Sequence, residues 1–198
     1  MSFPLNIYVL SATSAALVTF GLVPVIRRWC ERVHLVDDPG HRKIHLTPVP
    51  LAGGFAVLAG LLLPWILLGL CWKLGLFADD ARTKIAYGVE HRFWRLGIVL
   101  MGAAAMTFLG WMDDRHELKP SLKFAGQFLV AAMVAGAGVR ITLFVPNLVF
   151  SFAVTIFWIL TLVNAFNFMD NMNGLCSGLG LIGASFFGLN AAWEGHYL

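Results

Sequence analysis

Charged side chains are scarce in this 198-residue sequence: they make up 13% of the residues, whereas a soluble domain carries about a quarter. Cysteine is also scarce, and the spacing of Cys30, Cys71 and Cys176 fits neither a metal site nor a disulfide framework, so we expect packing roles for all three. The net charge of +3 is small and the basic residues are scattered, which argues against a nucleic-acid surface. The composition therefore excludes most secreted, DNA-binding and cytosolic classes of protein.

Apolar residues, by contrast, make up 59% of the chain, and the mean hydropathy is +0.77. A water-soluble fold of this length has too small a core for so many apolar side chains, which favours lipid as the solvent. A transmembrane helix needs about 17 to 25 residues with few or no charges. Six segments meet or nearly meet that requirement: 3–26, 46–72, 96–112, 124–139, 141–169 and 171–193. We therefore predict an all-α polytopic membrane protein, with about six transmembrane helices in a single domain over 1–198.

Two of these segments and one connection between segments allow further predictions. The first segment lacks the basic start of a signal peptide, so we expect a retained helix. The fourth has only 16 residues and spans a bilayer if Lys123 and Arg140 extend to the two interfaces. The connection at 73–95 is a candidate for a short amphipathic helix, because its apolar residues recur near helical spacing.

Six crossings distribute the connections between two membrane faces. The connections at 27–50, 113–123 and 164–174 share one face, and those at 73–95 and 140–147 share the other. The first face holds eight Lys and Arg residues against six, so the positive-inside rule favours, by a small margin, a cytoplasmic location for it. Nearly all of the unusual polar groups of the sequence belong to that same face, which is the first indication of a functional site.

A basic cluster closes the first connection on this face. Arg42, Lys43 and His45 lie within a stretch rich in proline and glycine that runs from Pro39 to Gly54. Such a backbone is held rigidly, and the three side chains offer hydrogen-bond donors to phosphates. The alternative is a positive-inside loop with ordinary turn residues.

Two adjacent carboxylates, Asp113 and Asp114, stand where the third segment leaves the bilayer. Adjacent carboxylates repel each other, and the cost falls if a divalent cation or a proton lies between them. The alternative is a hydrated helix end with ordinary interfacial charges.

A third polar group recurs at helical spacing near the end of the fifth segment. Asn164, Asn167 and Asp170 are three residues apart, and Asn173 continues the interval, which predicts one polar stripe on a helix. Burying amides and a carboxylate at the end of an apolar span costs free energy unless these groups have hydrogen-bond partners. Their presence therefore indicates a functional site. The alternative is a polar contact between helices.

Together these three segments resemble the polyprenyl-phosphate N-acetylhexosamine-1-phosphate transferases, glycosyltransferase family 4. The matching segments are the stretch from Asp38 to Gly54 with its Arg-Lys-x-His cluster, the Asp113–Asp114 pair, and the N-x-x-N-x-x-D run that ends at Asp170. Each segment alone would be weak, but the three occur in order and at plausible separations. The first segment is closer to the undecaprenyl-phosphate GlcNAc-1-phosphate transferases than to the pentapeptide translocases.

The resemblance implies a transfer of HexNAc-1-phosphate, GlcNAc-1-phosphate above all, at the cytoplasmic face of the bacterial inner membrane. A phosphate oxygen of undecaprenyl phosphate attacks the β-phosphorus of a UDP-sugar, and UMP leaves, for cell-envelope polysaccharide synthesis. The resemblance also implies Mg²⁺ as cofactor, with Mn²⁺ as the alternative, and UDP-HexNAc, a polyprenyl phosphate and the lipid bilayer as partners. A homodimer is compatible with it, and nucleic acid is not a partner.

By position, the resemblance assigns catalytic roles to Asp113 and Asp114 and metal ligation to Asn167 and Asp114. It assigns substrate binding to six residues: Arg42, Lys43, His45, Asn164, Asp170 and Asn173.

The sequence departs from the family pattern in two respects. Relatives read D-G-x-D-G where this chain has Asn173 in place of the second aspartate. The family has a roughly ten-span fold, with spans of about 20 residues each, and its later G-D-x-G-S and His-rich segments are not found here. We therefore expect an incomplete version of that fold, truncated at its C-terminus, which does not exchange UMP with UDP-GlcNAc on its own.

Two other functions remain as alternatives. One is an inactive fragment whose apolar surface packs against another membrane protein. The other is a small transporter or channel subunit, which would place polar residues near the bilayer midplane, whereas here they cluster at the ends of spans.

Overall fold

The computed structural model describes residues 5–37, 48–51, 53–76, 79–170 and 174–194. Within these ranges the chain forms six α-helices and one short antiparallel sheet: α1 (Leu5–Arg32), β1 (Val36–Asp37), β2 (Val49–Pro50), α2 (Gly53–Lys73), α3 (Asp79–His116), α4 (Pro120–Gly136), α5 (Leu148–Met169) and α6 (Leu175–Trp193). The predicted all-α class is confirmed.

Five of the helices contain a segment long and apolar enough to cross a membrane: Tyr8–Arg32, Gly53–Lys73, His91–His116, Leu148–Met169 and Leu175–Trp193. Large apolar side chains stand out from these helices; Phe20 is 83% exposed, Phe187 80% and Trp193 89%. Such exposure is unfavourable in water and suits hydrocarbon as the surrounding solvent. The chain is thus a polytopic membrane protein, as the sequence predicts.

Helix α4 is the exception among the six. It has 17 residues, which at 1.5 Å per residue gives about 25 Å, less than the hydrocarbon thickness of about 30 Å. The sequence already marks the corresponding segment, 124–139, as the shortest. The two cations expected to extend to the interfaces each contact a protein group: Lys123 binds Asp113, and the Arg140 guanidinium lies 5.0 Å from the ring centroid of Phe152. Their location at the interfaces stays a prediction.

Helix α3 is one continuous helix where the sequence predicts two separate elements. Its 38 residues run unbroken from Asp79 to His116, so the helix proposed for the 73–95 connection and the span predicted at 96–112 are one element. Arginine is a good helix former, and Arg92 and Arg95 therefore do not interrupt the helix although they bound the apolar segment.

Helix α5 begins later than the predicted start of the fifth span at 141. Pro146 lacks an N–H, and the extended Asn147 caps the helix, its Oδ1 accepting from the backbone N–H of the third helical residue at 3.1 Å. The backbone of Ile141 bonds to buried hydroxyls instead: its N–H donates to Thr155 Oγ1 at 2.9 Å, and its carbonyl accepts from Ser151 Oγ at 2.7 Å. The N–H and the carbonyl of Ile141, which lies outside the helix, are thereby both hydrogen-bonded.

The chain divides into two compact units, Met1–Arg82 with Ala103–Lys123, and Thr83–Gly102 with Phe124–Leu198. In the first unit, α1 and α2 pack closely where Gly60 faces Thr19 and Ala15. A Cβ at Gly60 would lie 2.9 Å from the Ala15 carbonyl oxygen and would meet the Thr19 side chain. Small residues let helix backbones approach in lipid, and the neighbouring Ala56 is fully buried at the same contact.

At the C-terminal end of α1, Cys30 and Leu35 form a small buried cluster with partly buried neighbours that include Leu51 and Trp111. Next to it, β1 and β2 pair antiparallel, and the Leu51 N–H donates to the Leu35 carbonyl at 3.2 Å. Through Leu51 and Trp111 this cluster connects the start of α2 with the end of α3, where Asp113 and Asp114 lie.

In the second unit, α4 presents a face of small buried residues. Ala131 and Ala135 are fully buried, and a Cβ at Gly102 of α3 would lie 3.0 Å from a methyl carbon of Val134. The close approach of α3 and α4 therefore depends on the glycine at 102.

Candidate active site

Four of the predicted site residues lie outside the described part of the chain: Arg42, Lys43, His45 and Asn173. Strands β1 and β2 flank the segment that carries the first three, with Val36 opposite Pro50 and Asp37 opposite Val49. The other predicted residues are described within their own units: Asp113 and Asp114 in the first, and Asn164, Asn167 and Asp170 in the second.

Asp113 lies in the last turn of α3 and forms an ion pair with Lys123 of α4. The distance from Lys123 Nζ to Asp113 Oδ2 is 2.7 Å, and the side chains are 26% and 22% exposed. The connection that brings them together is short: Glu117 adopts a left-handed conformation with φ of 46°, and its N–H donates to the Asp113 carbonyl. Lys123 thus compensates the charge of Asp113, a pairing that the sequence analysis does not predict.

Asp114 lies elsewhere on the helix, about 100° around the axis from Asp113. It is exposed and lines a cleft of about 410 Å³ together with His34, Arg115 and His116. Arginine and histidine offer several N–H donors, so this cleft has the chemistry to bind an anionic oxygen group beside a carboxylate.

Asp114 also lines a second cleft, of about 310 Å³, whose other walls are mainly apolar and include Phe55, Met106 and Trp111. The Trp111 ring packs against Phe108 at 5.5 Å between centroids. Its indole nitrogen is buried and has no hydrogen-bond acceptor among the residues that the structure describes. Asp114 therefore stands where a polar and an apolar cleft meet.

The described residues contain no group of three or more His, Cys, Asp or Glu side chains that could enclose a metal ion. Such a group is not required for Mg²⁺, which is commonly held by one or two carboxylates together with substrate phosphate oxygens and water. The exposed Asp114 carboxylate and the exposed Asn167 amide are oxygen donors of that type. The donor chemistry fits Mg²⁺, and its ligands stay a prediction.

The predicted polar stripe lies on the last turns of α5. The helix continues to Met169, and Asp170 is its C-cap, with φ of −73° and ψ of 7°. Asn164 is partly buried, whereas Asn167 and Asp170 are exposed. The helical spacing assumed from the sequence is therefore present as far as the C-cap.

Asn164 bonds to a residue that the sequence argument missed. Its Nδ2 donates to Gln127 Oε1 at 2.9 Å and to the Leu160 carbonyl at 2.8 Å. Gln127 is 4% exposed and belongs to α4, 37 positions earlier. One feature of the sequence could have identified Gln127: it carries the single polar side chain between Lys123 and Arg140.

Comparison with known proteins places these features in a family. The family model described as glycosyl transferase family 4 matches residues 96–198. A Bacillus subtilis (strain 168) protein named "Probable undecaprenyl-phosphate N-acetylglucosaminyl 1-phosphate transferase" is 28% identical over 89% of this chain and 46% of its own length. A Mycobacterium leprae decaprenyl-phosphate N-acetylglucosaminephosphotransferase is 30% identical over 91% of this chain and 45% of its own length.

A third relative is the Salmonella typhimurium undecaprenyl-phosphate alpha-N-acetylglucosaminyl 1-phosphate transferase, 29% identical over 92% of this chain and 46% of its own length. The chain thus spans about half the length of the curated relatives that it matches. No solved structure matches it significantly. The family match covers more than half of the chain, including Asp113, Asp114 and the α5 stripe, and it confirms the resemblance: this chain belongs to glycosyl transferase family 4.

Proposed function

We propose that this protein transfers an N-acetylhexosamine 1-phosphate group, GlcNAc-1-phosphate in the first instance, from a UDP-sugar to undecaprenyl phosphate. A phosphate oxygen of the lipid forms a bond to the β-phosphorus of the UDP-sugar. The bond from that phosphorus to the bridging oxygen breaks, UMP leaves, and the sugar stays on a lipid diphosphate. The reaction takes place at the cytoplasmic face of the inner membrane and serves cell-envelope polysaccharide synthesis.

The surroundings of Asp114 carry this proposal. Asp113 is paired with Lys123, so its charge is compensated within the protein. Asp114 faces a cleft with His34, Arg115 and His116, where an anionic substrate can meet both a carboxylate and cationic donors. A carboxylate in that position can accept a proton from a lipid phosphate and leave its oxygen more nucleophilic.

Mg²⁺ would supply charge neutralisation at the diphosphate of the UDP-sugar. The family resemblance assigns its ligation to Asp114 and Asn167, each of which presents an exposed oxygen atom within its own unit. In the same proposal, Arg42, Lys43 and His45 bind phosphates, while Asn164, Asp170 and Asn173 bind the nucleotide.

The relatives supply the substrate classes of the proposal. Their names specify undecaprenyl or decaprenyl phosphate as the lipid and N-acetylglucosamine 1-phosphate as the transferred group. Their family membership also favours a transferase over the transporter or channel subunit considered from the sequence.

The test uses a chimera in which this whole chain replaces the residues that it matches in the Salmonella typhimurium relative. Membranes that contain the chimera receive radiolabelled UDP-GlcNAc, undecaprenyl phosphate and Mg²⁺. We expect lipid-linked GlcNAc and UMP in equal amounts, since release of UMP rather than UDP identifies transfer of the sugar with its phosphate. The 198-residue chain by itself is assayed alongside.

The chimera with Asp114→Asn is the matched control, and we expect little product from it. The proposal would be contradicted if the chimera, present at the level of the parent relative, formed no lipid-linked sugar while the parent did. Release of UDP in place of UMP would contradict it equally.

A further inference from the structure

The amide of Asn164 has a determined orientation. The Leu160 carbonyl, 2.8 Å away, accepts only from a donor, so the nitrogen of the Asn164 side chain must face it. The same nitrogen then donates to Gln127 at 2.9 Å, and this identifies the facing atom of Gln127 as its oxygen. The backbone carbonyl thus settles an assignment that side-chain amides alone leave open.

This orientation decides what Asn164 can offer to a ligand. Both hydrogens of Nδ2 are engaged, one by Leu160 and one by Gln127. None of the hydrogen bonds within the described ranges reaches Oδ1. Asn164 therefore presents an acceptor and no free donor.

Gln127 serves poorly as a packing residue. It lies on the α4 face that continues with Ala131 and Ala135, all of them buried, and no other residue from 124 to 139 has a polar side chain. An amide removed from water is unfavourable unless it is hydrogen-bonded, whereas an apolar side chain of the same size has no such requirement. The hydrogen bond to Asn164 gives the buried Gln127 oxygen a partner.

The acceptor character of Asn164 also selects among substrate groups. Ionised phosphate oxygens are acceptors, so the diphosphate of the UDP-sugar cannot bond directly to Oδ1, and the proton of the lipid phosphate is the one that the proposed function assigns to Asp114. The donors of a UDP-sugar are the uracil N3–H and ribose hydroxyls of the nucleoside, and the hydroxyls and acetamido N–H of the hexosamine. The proposed function assigns Asn164 to the nucleotide, which selects the donors of the nucleoside.

We propose that Gln127 is a positioning residue for substrate binding: it holds the Asn164 amide so that Oδ1 accepts a hydrogen bond from the nucleoside of the UDP-sugar. This inference rests on the proposed function, since it requires a uridine nucleotide as substrate. Gln127 itself contacts Asn164 and acts on the substrate only through it.

The kinetic test compares Gln127→Met, which keeps the side-chain length and removes the acceptor, with Gln127→Glu, which keeps an acceptor oxygen whether ionised or protonated. In the chimera, Gln127→Met should raise KM for UDP-GlcNAc roughly three- to tenfold with little change in kcat, because it weakens binding in ground and transition states alike. KM for undecaprenyl phosphate and the Mg²⁺ requirement should stay within about twofold. Gln127→Glu should restore most of the affinity.

Thr155→Val is the matched control, because Thr155 is also buried in the second unit and its hydroxyl binds backbone groups away from the α5 stripe. It should lower stability without raising KM for UDP-GlcNAc. An equal rise in KM for Thr155→Val and Gln127→Met would overturn the positioning role. A selective rise in the Mg²⁺ requirement of Gln127→Met would overturn the nucleoside as the group bound.

A spectroscopic test on the 198-residue chain needs no activity. In detergent micelles with ¹⁵N-labelled asparagine, the Asn164 side-chain amide should shift and exchange faster with water in Gln127→Met and not in Thr155→Val. Unchanged Asn164 signals in Gln127→Met would overturn the positioning role. An inactive wild-type chimera would instead contradict the proposed function, and the two failures are thereby distinguished.

Discussion

Lys123 Nζ lies 2.7 Å from Asp113 Oδ2, and this ion pair ties the first turn of α4 to the last turn of α3. Asp113 thus has a cationic partner within the protein, and its neighbour Asp114 lines the two clefts. The catalytic roles of the two carboxylates and the packing around them lead to five predictions.

Removing the cation of the pair should destabilise the protein measurably. Lys123→Met leaves the Asp113 carboxylate partly buried without its donor, and we expect the free energy of unfolding to fall by about 1–3 kcal/mol. Arg27→Met is the control, because the Arg27–Glu31 pair is much more exposed, at 64% and 48%, and should contribute about 0.3–0.5 kcal/mol. Denaturant unfolding in detergent measures both, and equal losses would show that the Lys123 pair is not structurally important.

Asp114→Asn should act on the chemistry and little on the fold. If Asp114 takes up a proton or charge in the transition state, turnover by the chimera should fall by roughly a hundredfold or more, with nucleotide affinity nearly unchanged. Steady-state rates and the unfolding midpoint check the two parts. Full activity of the double variant Asp113→Asn/Asp114→Asn would refute the catalytic assignment of the pair.

Asn173→Asp restores the residue that relatives have at this position, which lies outside the described ranges. If the position contacts only the nucleotide, the substitution should change KM for UDP-GlcNAc with a small effect on turnover. Rate measurements over a range of UDP-GlcNAc concentrations separate the two constants. A large change in turnover at unchanged KM would assign position 173 to the chemical step.

The contact of α1 with α2 predicts opposite effects of alanine at two glycines of the same helix. Gly60→Ala forces a methyl group against Ala15 and Thr19, and overpacking of this kind costs about 1–3 kcal/mol. At Gly69 a Cβ meets nothing within 4 Å, so Gly69→Ala should be neutral or stabilise by up to about 1 kcal/mol. Thermal unfolding distinguishes the two, and a stable Gly60→Ala variant would contradict the close helix contact.

The length of α3 predicts that its two ends lie on opposite sides of the membrane, since 38 residues give about 57 Å against about 30 Å of hydrocarbon. In a background without the native cysteines, an impermeant thiol reagent applied from outside should label Asp79→Cys and miss Glu117→Cys. A cysteine in place of His41 should also be missed. Labelling of all three from the same side would rule out the topology inferred from the sequence.

Much of the fold could be predicted from the sequence because the mean hydropathy of a segment depends only on the residues of that segment. A segment that can span lipid must satisfy its backbone internally, so an uncharged apolar run such as 171–193 indicates a helix without any knowledge of its neighbours. The spacing of Asn164, Asn167 and Asp170 likewise indicates one helical surface, which α5 confirms up to its C-cap. The family resemblance also needed only the order of motifs along the chain.

The tertiary structure alone decided which polar groups pair. Asn164 binds Gln127 across 37 positions, Lys123 binds Asp113, and the backbone of Ile141 bonds to the buried hydroxyls of Thr155 and Ser151. Hydropathy counts say how polar a segment is, not which groups meet. Those contacts depend on how one helix is rotated and shifted along its axis relative to another. The small residues at which the helices approach closely determine this arrangement, and no local property of the sequence encodes it.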